Sequence, residues 1–260
     1  MAAFAGGSPD VALRLAVAML AIQSAIGAAN DLVDAPADRS VKPGKPIAAG
    51  LVAPAAARAV ALVGLAAGFL LAASVSASAL GLAAAGSAAG LAYDLRLKGT
   101  PASWLPFAIG IPLLPLFAWV GATGSAPTPV LILAGLAVPA GAAIAVANAL
   151  PDLERDTAAG VASAATARGR VRAGHGVAAL QALVGASALT SFAVLASGRG
   201  AIPPAAVAGL VGSCLALGGG VVLSRRPSIA ARQRGWEVQA LASGGIAASW
   251  LGGLVAAGRF

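Results

Sequence analysis

The chain has 260 residues, of which 59% are hydrophobic and only 10% charged. A soluble chain carries about 25% charged residues, so the composition excludes a water-wetted globule and points to a membrane. The formal charge of +8 comes from basic residues spread over several separate turns without interleaved aromatics, which argues against a nucleic-acid surface.

Eight apolar stretches follow in chain order: Val11–Ala29, Ala55–Ala73, Ser78–Ala92, Trp104–Val120, Pro129–Leu150, Gly176–Ala196, Pro203–Leu223 and Val238–Ala257. Most approach the roughly 20 residues that cross the hydrocarbon layer as a helix. Ser78–Ala92 is short and has to stand close to the bilayer normal or thin it locally. None alternates at period 2 as a barrel strand does. The expectation is an all-α, polytopic transmembrane bundle of about eight spans forming a single domain over residues 1–260. Small-xxx-small spacings such as Gly64/Gly68 and Gly86/Gly90 suit close helix packing. The first stretch lacks a basic leader and is expected to be an anchor, not a cleaved signal. The one cysteine, Cys214, lies in an apolar span, so no disulfide joins parts of the chain.

Charge placement orients the bundle. With odd spans running inward, 14 of the 17 basic residues fall on one side, and only Arg14, Arg199 and Arg259 on the other. The retained positive side is cytoplasmic, which puts both termini outside. The run from Ser224 to Arg234 reads as part of this orientation signal. His175 reads as an interfacial residue, and Trp104, Trp119, Trp236 and Trp250 as members of an interfacial belt.

Seven of the nine acidic residues cluster where odd spans reach that basic side: Asp31, Asp34 and Asp38 after the first span, Asp94 after the third, and Asp152, Glu154 and Asp156 after the fifth. Asp31 and Asp34 are spaced i,i+3, while Asp34/Asp38 and Asp152/Asp156 are spaced i,i+4, so each helical set would share a face. Pro36 and Pro151 threaten that ladder, although Pro151 can open a new turn with Asp152 behind it. Like charges beside a low-dielectric layer either take raised pKa values or call for a neutralising cation. Oxygen donors without a cysteine or histidine pair favour a hard ion, magnesium before zinc. The alternative is a pair of solvated acidic loops balancing basic ones. Asp94 has no acidic partner at helical spacing and is expected to matter less than the clusters.

The wording of these segments is more specific. Asn30-Asp31-Leu32-Val33-Asp34-Ala35-Pro36-Ala37-Asp38-Arg39 resembles the NDxxDxxxD motif of the UbiA prenyltransferase superfamily. Lys45-Pro46-Ile47 with Gly50 resembles the basic-Pro-apolar turn that often follows it. Tyr93-Asp94-Leu95-Arg96-Leu97-Lys98 resembles its Tyr/Lys loop, and Asn148 through Asp156 with Gly160 resembles its second DxxxD motif. The likeness covers about residues 11–260. It departs from the family in two ways. The family usually has nine spans, with a further helix before the first motif, so either this protein dispenses with that helix or Met1 is an internal start. Lys42 and Lys45 stand where many relatives carry arginine.

The resemblance implies a central cavity open to the cytoplasmic side and to lipid, in an enzyme of the cell inner membrane. It implies magnesium-dependent transfer of an isoprenyl group from a prenyl diphosphate to an aromatic or lipid-like acceptor. Asp31, Asp34, Asp38, Asp152 and Asp156 would hold metal. Asn30, Arg39, Lys42, Lys45, Lys98, Arg155 and Asn148 would face the diphosphate, and Tyr93 the diphosphate or the reacting carbon. Terpene cyclisation and phosphoribosyl transfer to a lipid phosphate are the alternatives within the fold. A cation-coupled transporter is the alternative outside it, and is disfavoured because the span interiors hold few polar groups beyond Gln23 and Gln181. No protein partner is implied.

Overall fold

The computed structural model describes residue 2, residues 5–197 and residues 201–259. Arg199, one of the three outer-side basic residues expected above, lies outside them. Nine α-helices are formed among the described residues, and no strand: α1 (Pro9–Val41), α2 (Pro54–Val75), α3 (Ala77–Ala92), α4 (Leu105–Thr123), α5 (Thr128–Ala149), α6 (Leu153–Ala158), α7 (Gly169–Ala196), α8 (Pro204–Ser224) and α9 (Ile229–Ala256). Local chemistry sets the ends. Ser8, Ser76 and Ser228 cap α1, α3 and α9 through side chains that accept from Val11, Ala79 and Ala231 amides. Proline occupies the first turn of α1, α2, α4, α5 and α8, where no amide donor is missed.

All eight expected segments are helical, and seven of the helices are long and apolar enough to cross a membrane. The eighth, α3, has only 16 residues, but Tyr93–Leu97 continues it as a π-helical turn closed by the Lys98 amide on the Tyr93 carbonyl at 2.7 Å. The segment expected to begin a loop at Tyr93 is therefore still helical. Pro36 does not end α1, which runs unbroken to Val41. Membrane helices tolerate such prolines where neighbours re-satisfy the freed carbonyl.

Large apolar side chains such as Leu13, Leu62, Leu70, Leu215 and Leu241 point outward, as a lipid-facing surface requires. Inside, one cluster joins α1, α2, α3 and α4 around Leu15, Ile22, Ala79 and Phe117. A second joins α4, α5, α7, α8 and α9 around Val130, Phe192, Leu217 and Trp250. Glycine sets two of the closest approaches. A Cβ at Gly64 would lie 2.8 Å from the Ala21 carbonyl of α1, and one at Gly141 would run into the Phe107 carbonyl of α4.

Two tryptophans depart from the expected belt. Trp119 and Trp250 are 5% and 0% exposed and belong to the second cluster, with Trp250 Nε1 donating to Ser191 Oγ at 3.1 Å. A polar relay is buried there too. Gln181 donates to Gln239 Oε1 at 3.1 Å, and Gln239 donates to Ser224 Oγ at 2.7 Å, so polar side chains of α7, α8 and α9 are linked inside the bundle, with Gln181 Oε1 left without a partner.

Candidate active site

The two acidic motifs leave the ends of α1 and α5 and meet in one cavity of about 540 Å³. Helical spacing carries the first motif as expected. Asp31, Asp34 and Asp38 all reach Lys45, whose Nζ lies 3.0, 3.5 and 2.8 Å from their carboxylate oxygens. The turn after α1 brings Lys45 back over the helix end, with the Lys42 amide closing on the Asp38 carbonyl at 2.8 Å. Lys98, from just beyond the π turn, also pairs with Asp34, at 2.5 Å.

The second motif turns at Leu150–Asp152 and restarts as α6, Asp152 standing at its N-cap. The Asp156 amide closes on the Asp152 carbonyl at 2.9 Å, and Arg155 lies 2.9 and 3.2 Å from the Asp152 and Asp156 carboxylates. Lys42 reaches across to Asp152 at 3.4 Å and ties the motifs together. Asn30, Tyr93 and Asn148 line the same cavity. Asp31 touches it only through Lys45. Arg39 is exposed, forms no ion pair among the described residues and is not part of the lining. His175 lies in a separate hollow with Arg170 and Arg225.

The electrostatics follow from this crowding. Partial burial works against the Lys45 ammonium, but the Asp38 and Asp31 carboxylates outweigh it and hold its pKa above the ordinary value. Arg155 is likewise pushed up, Asp152 and Asp156 overcoming its burial. Burial and the charges of Asp94, Asp34 and Asp156 raise the Tyr93 phenol, which keeps it a hydrogen-bond donor. Its ring meets Phe107 edge-on at 5.1 Å, and Lys98 stands 5.9 Å from the ring centre.

Two features were missed by sequence reasoning. Asp94 is 5% exposed and accepts a 2.6 Å bond from Asn30 Nδ2. Burial raises its pKa against the opposing Asn30 bond and Lys98 charge. Its partner lies 64 residues away, so no local spacing announces it, and only its place beside Tyr93 is a clue. Arg232, assigned above to the orientation signal, is 1% exposed and pairs with Glu154.

Tyr93 and Phe107 also wall a second, apolar chamber of about 210 Å³ between α1, α3 and α4. The site thus joins a highly charged compartment to a greasy one across two aromatic rings.

The donor set fits a hard divalent cation. Three carboxylates converge on one point, now held by the Lys45 ammonium as a stand-in positive charge. Among the described residues no three acidic, histidine or cysteine side chains form a ready metal cage.

The chain is thus a polytopic helical protein with carboxylates and cations gathered over an apolar chamber. The comparisons place it. The family model of the UbiA prenyltransferase family matches residues 1–243, and the chain belongs to that family: it is an integral, multi-pass membrane prenyltransferase. It is 33% identical over 227 residues to digeranylgeranylglyceryl phosphate synthase of Methanopyrus kandleri, covering 83% of this chain and 80% of the relative. Its fold is similar to that of a UbiA homolog from Aeropyrum pernix K1, with TM-score 0.74 and 20% identity over 95% of this chain and 92% of that one. It is also similar to a UbiA homolog from Archaeoglobus fulgidus bound to GPP and Mg2+, with TM-score 0.70 and 16% identity over 94% of this chain and 89% of that one.

Proposed function

We propose that the protein transfers an isoprenyl group from a prenyl diphosphate to an apolar acceptor inside the membrane, with magnesium as cofactor. One observation carries this reading: both acidic motifs and four cations, Lys42, Lys45, Lys98 and Arg155, line one cavity that adjoins an apolar chamber. The Archaeoglobus relative, bound to GPP and Mg2+, supports the donor class.

The diphosphate sits among the four cations, whose charges offset its own. Asp34 and Asp38 would hold one magnesium ion and Asp152 and Asp156 the other, with Asp31 lending charge from the rim. When bound, the metal acts as a Lewis acid toward the leaving oxygens, an effect worth several kcal/mol. The bond between the allylic carbon and the diphosphate oxygen breaks, and its electron pair leaves with the diphosphate. A lone pair or π pair of the acceptor forms the new bond, and the acceptor loses a proton. Tyr93 faces the reacting carbon, where its π face and the neighbouring Phe107 shield it from water. The small side chains Ala145 and Ala149 of α5, which line the charged cavity, let the hydrocarbon of the donor leave toward lipid. The motif end faces the cytoplasm, as the bias of basic residues indicates.

Incubation of the purified protein with magnesium, a panel of labelled prenyl diphosphates and candidate acceptors, followed by lipid product analysis, tests this. Acceptor-dependent, chelator-sensitive products are expected. Products formed equally well without acceptor would replace transfer by cyclisation, and no consumption of any donor would remove the reading.

A further inference from the structure

A hollow of about 210 Å³ lies where α7 begins and α8 ends, apart from the charged cavity, with which it shares no lining residue. Arg170 and His175 line it from α7, and Arg225, the first residue past α8, lines it as well. The Arg225 stem lies over Gly174, where a Cβ would stand 3.4 Å from Cγ. All three basic side chains belong to exposed residues, so a ligand can reach them.

These cations lack counter-charges. In the charged cavity Lys42, Lys45, Lys98 and Arg155 each face a carboxylate. Arg170 and Arg225 form no ion pair among the described residues, and no acidic residue lines the hollow. The start of α7 makes this less favourable still. A helix N-terminus favours anions, yet α7 opens Gly169-Arg170-Val171-Arg172 with no acid in its first turn and no side chain capping its amides. Orienting a protein in the membrane needs basic residues near span ends. It does not need two arginines from different elements around one hollow.

The surroundings narrow the choice of anion. Both α7 and α8 are long and apolar enough to cross a membrane, so the hollow stands at the level where lipid head groups meet the bundle. Val171, which lines it, is 65% exposed, and Ile229, two residues past Pro227, is 61% exposed. The cations thus adjoin apolar surface.

We propose that this hollow holds the head-group phosphate of an anionic phospholipid. Arg170 and Arg225 fork onto the phosphate oxygens, His175 offers a further ring N–H, and the acyl chains run over Val171 into the bilayer. Arginine's planar fork matches phosphate oxygens, and basic pockets between membrane helices suit such head groups. The lipid then fastens α7 to the end of α8. This goes beyond the transfer reaction and stands without it.

The test uses purified protein in a neutral detergent, titrated with dioleoyl phosphatidylglycerol, dioleoyl phosphatidylcholine or inorganic phosphate. Native mass spectrometry counts bound lipid, and thermal unfolding follows stability. Phosphatidylglycerol should be retained in preference to phosphatidylcholine, and it alone should raise the melting temperature. Arg170→Gln with Arg225→Gln should weaken its binding at least ~10-fold. Arg172→Gln with Arg226→Gln removes the same charge from exposed neighbours outside the hollow, and should leave binding within about 2-fold, since distant surface charges are screened. Equal losses in the two double variants would replace the site by diffuse attraction and overturn the proposal. Equal retention of the two lipids would overturn it too, as would equal stabilisation by inorganic phosphate, which would make the ligand a free anion.

Discussion

Arg232 of α9 forks onto Glu154 of α6, its Nη1 3.0 Å from Oε1 and its Nη2 2.5 Å from Oε2. Glu154 stands between Asp152 and Asp156, and while those two line the charged cavity, Glu154 does not. The pair therefore pins the second acidic motif to α9 from behind. It is also unequal, since Arg232 is 1% exposed and the Glu154 side chain 58%.

That inequality predicts an asymmetric response. Removing one partner harms most when the remaining charge is buried. Glu154→Ala leaves the buried Arg232 guanidinium with only the Pro227 carbonyl, 3.2 Å from Nη1, and should lower stability by about 1.5–3 kcal/mol, the scale of a hydrogen bond to a charged group. Arg232→Met leaves a carboxylate that water can solvate and should cost less. Thermal unfolding of the two variants in detergent checks the order, and equal costs would mean the guanidinium finds other partners.

The proposed metal ligands give the second prediction. Asp34→Asn and Asp152→Asn should each lower turnover at least ~100-fold, about 2.7 kcal/mol of barrier, while the protein stays folded. Chelator should silence the wild type and magnesium restore it. Near-normal, chelator-insensitive turnover in either variant would return the acidic clusters to the role of solvated loops.

Helix contact supplies a third. An added Cβ at Gly141 meets the Phe107 backbone carbonyl, whereas one at Gly86 meets nothing within 4 Å. Gly141→Ala should therefore lower stability by about 1–3 kcal/mol through overpacking, and Gly86→Ala should leave it nearly unchanged. Melting temperatures in one detergent read the difference, and a wild-type value for Gly141→Ala would show that α4 and α5 shift apart freely.

Orientation is tested by chemistry at the surface. In a Cys214→Ala background, Ser40→Cys lies at the motif end of α1 and Ser125→Cys in the turn between α4 and α5. A membrane-impermeant thiol reagent applied to intact cells should label Ser125→Cys only. Labelling of both, or of Ser40→Cys alone, would reverse the assignment made from basic residues.

Much of this was legible before any coordinates. The long apolar stretches announced the helices because lipid imposes one solution on a backbone, and motif spacing announced which carboxylates meet because i,i+4 is fixed by helix geometry. What stayed hidden depends on contacts between distant segments. Asp94 finds Asn30, and Arg232 finds Glu154, across 64 and 78 residues. Trp119 and Trp250 lie near span ends yet turn into the core, since span position does not say which face a residue occupies. The helical continuation past Tyr93 was obscured by its charged residues, which look like a loop.

The charged cavity carries its own counter-ions. Asp31, Asp34, Asp38, Asp152 and Asp156 are already matched, nearly one for one, by Lys42, Lys45, Lys98 and Arg155. A lone anion entering there must draw a cation from its carboxylate, and a lone divalent ion must push one away. On the proposed function, the arrival of both would exchange the partners: Lys45 and Arg155 would turn to phosphate as their carboxylates turn to metal. Such an exchange is reciprocal by thermodynamic necessity, so each ligand must tighten the other by the same factor. The magnesium concentration for half-occupancy should then fall as a prenyl diphosphate is raised, and independence of the two would show that the ion pairs persist beneath the bound substrate.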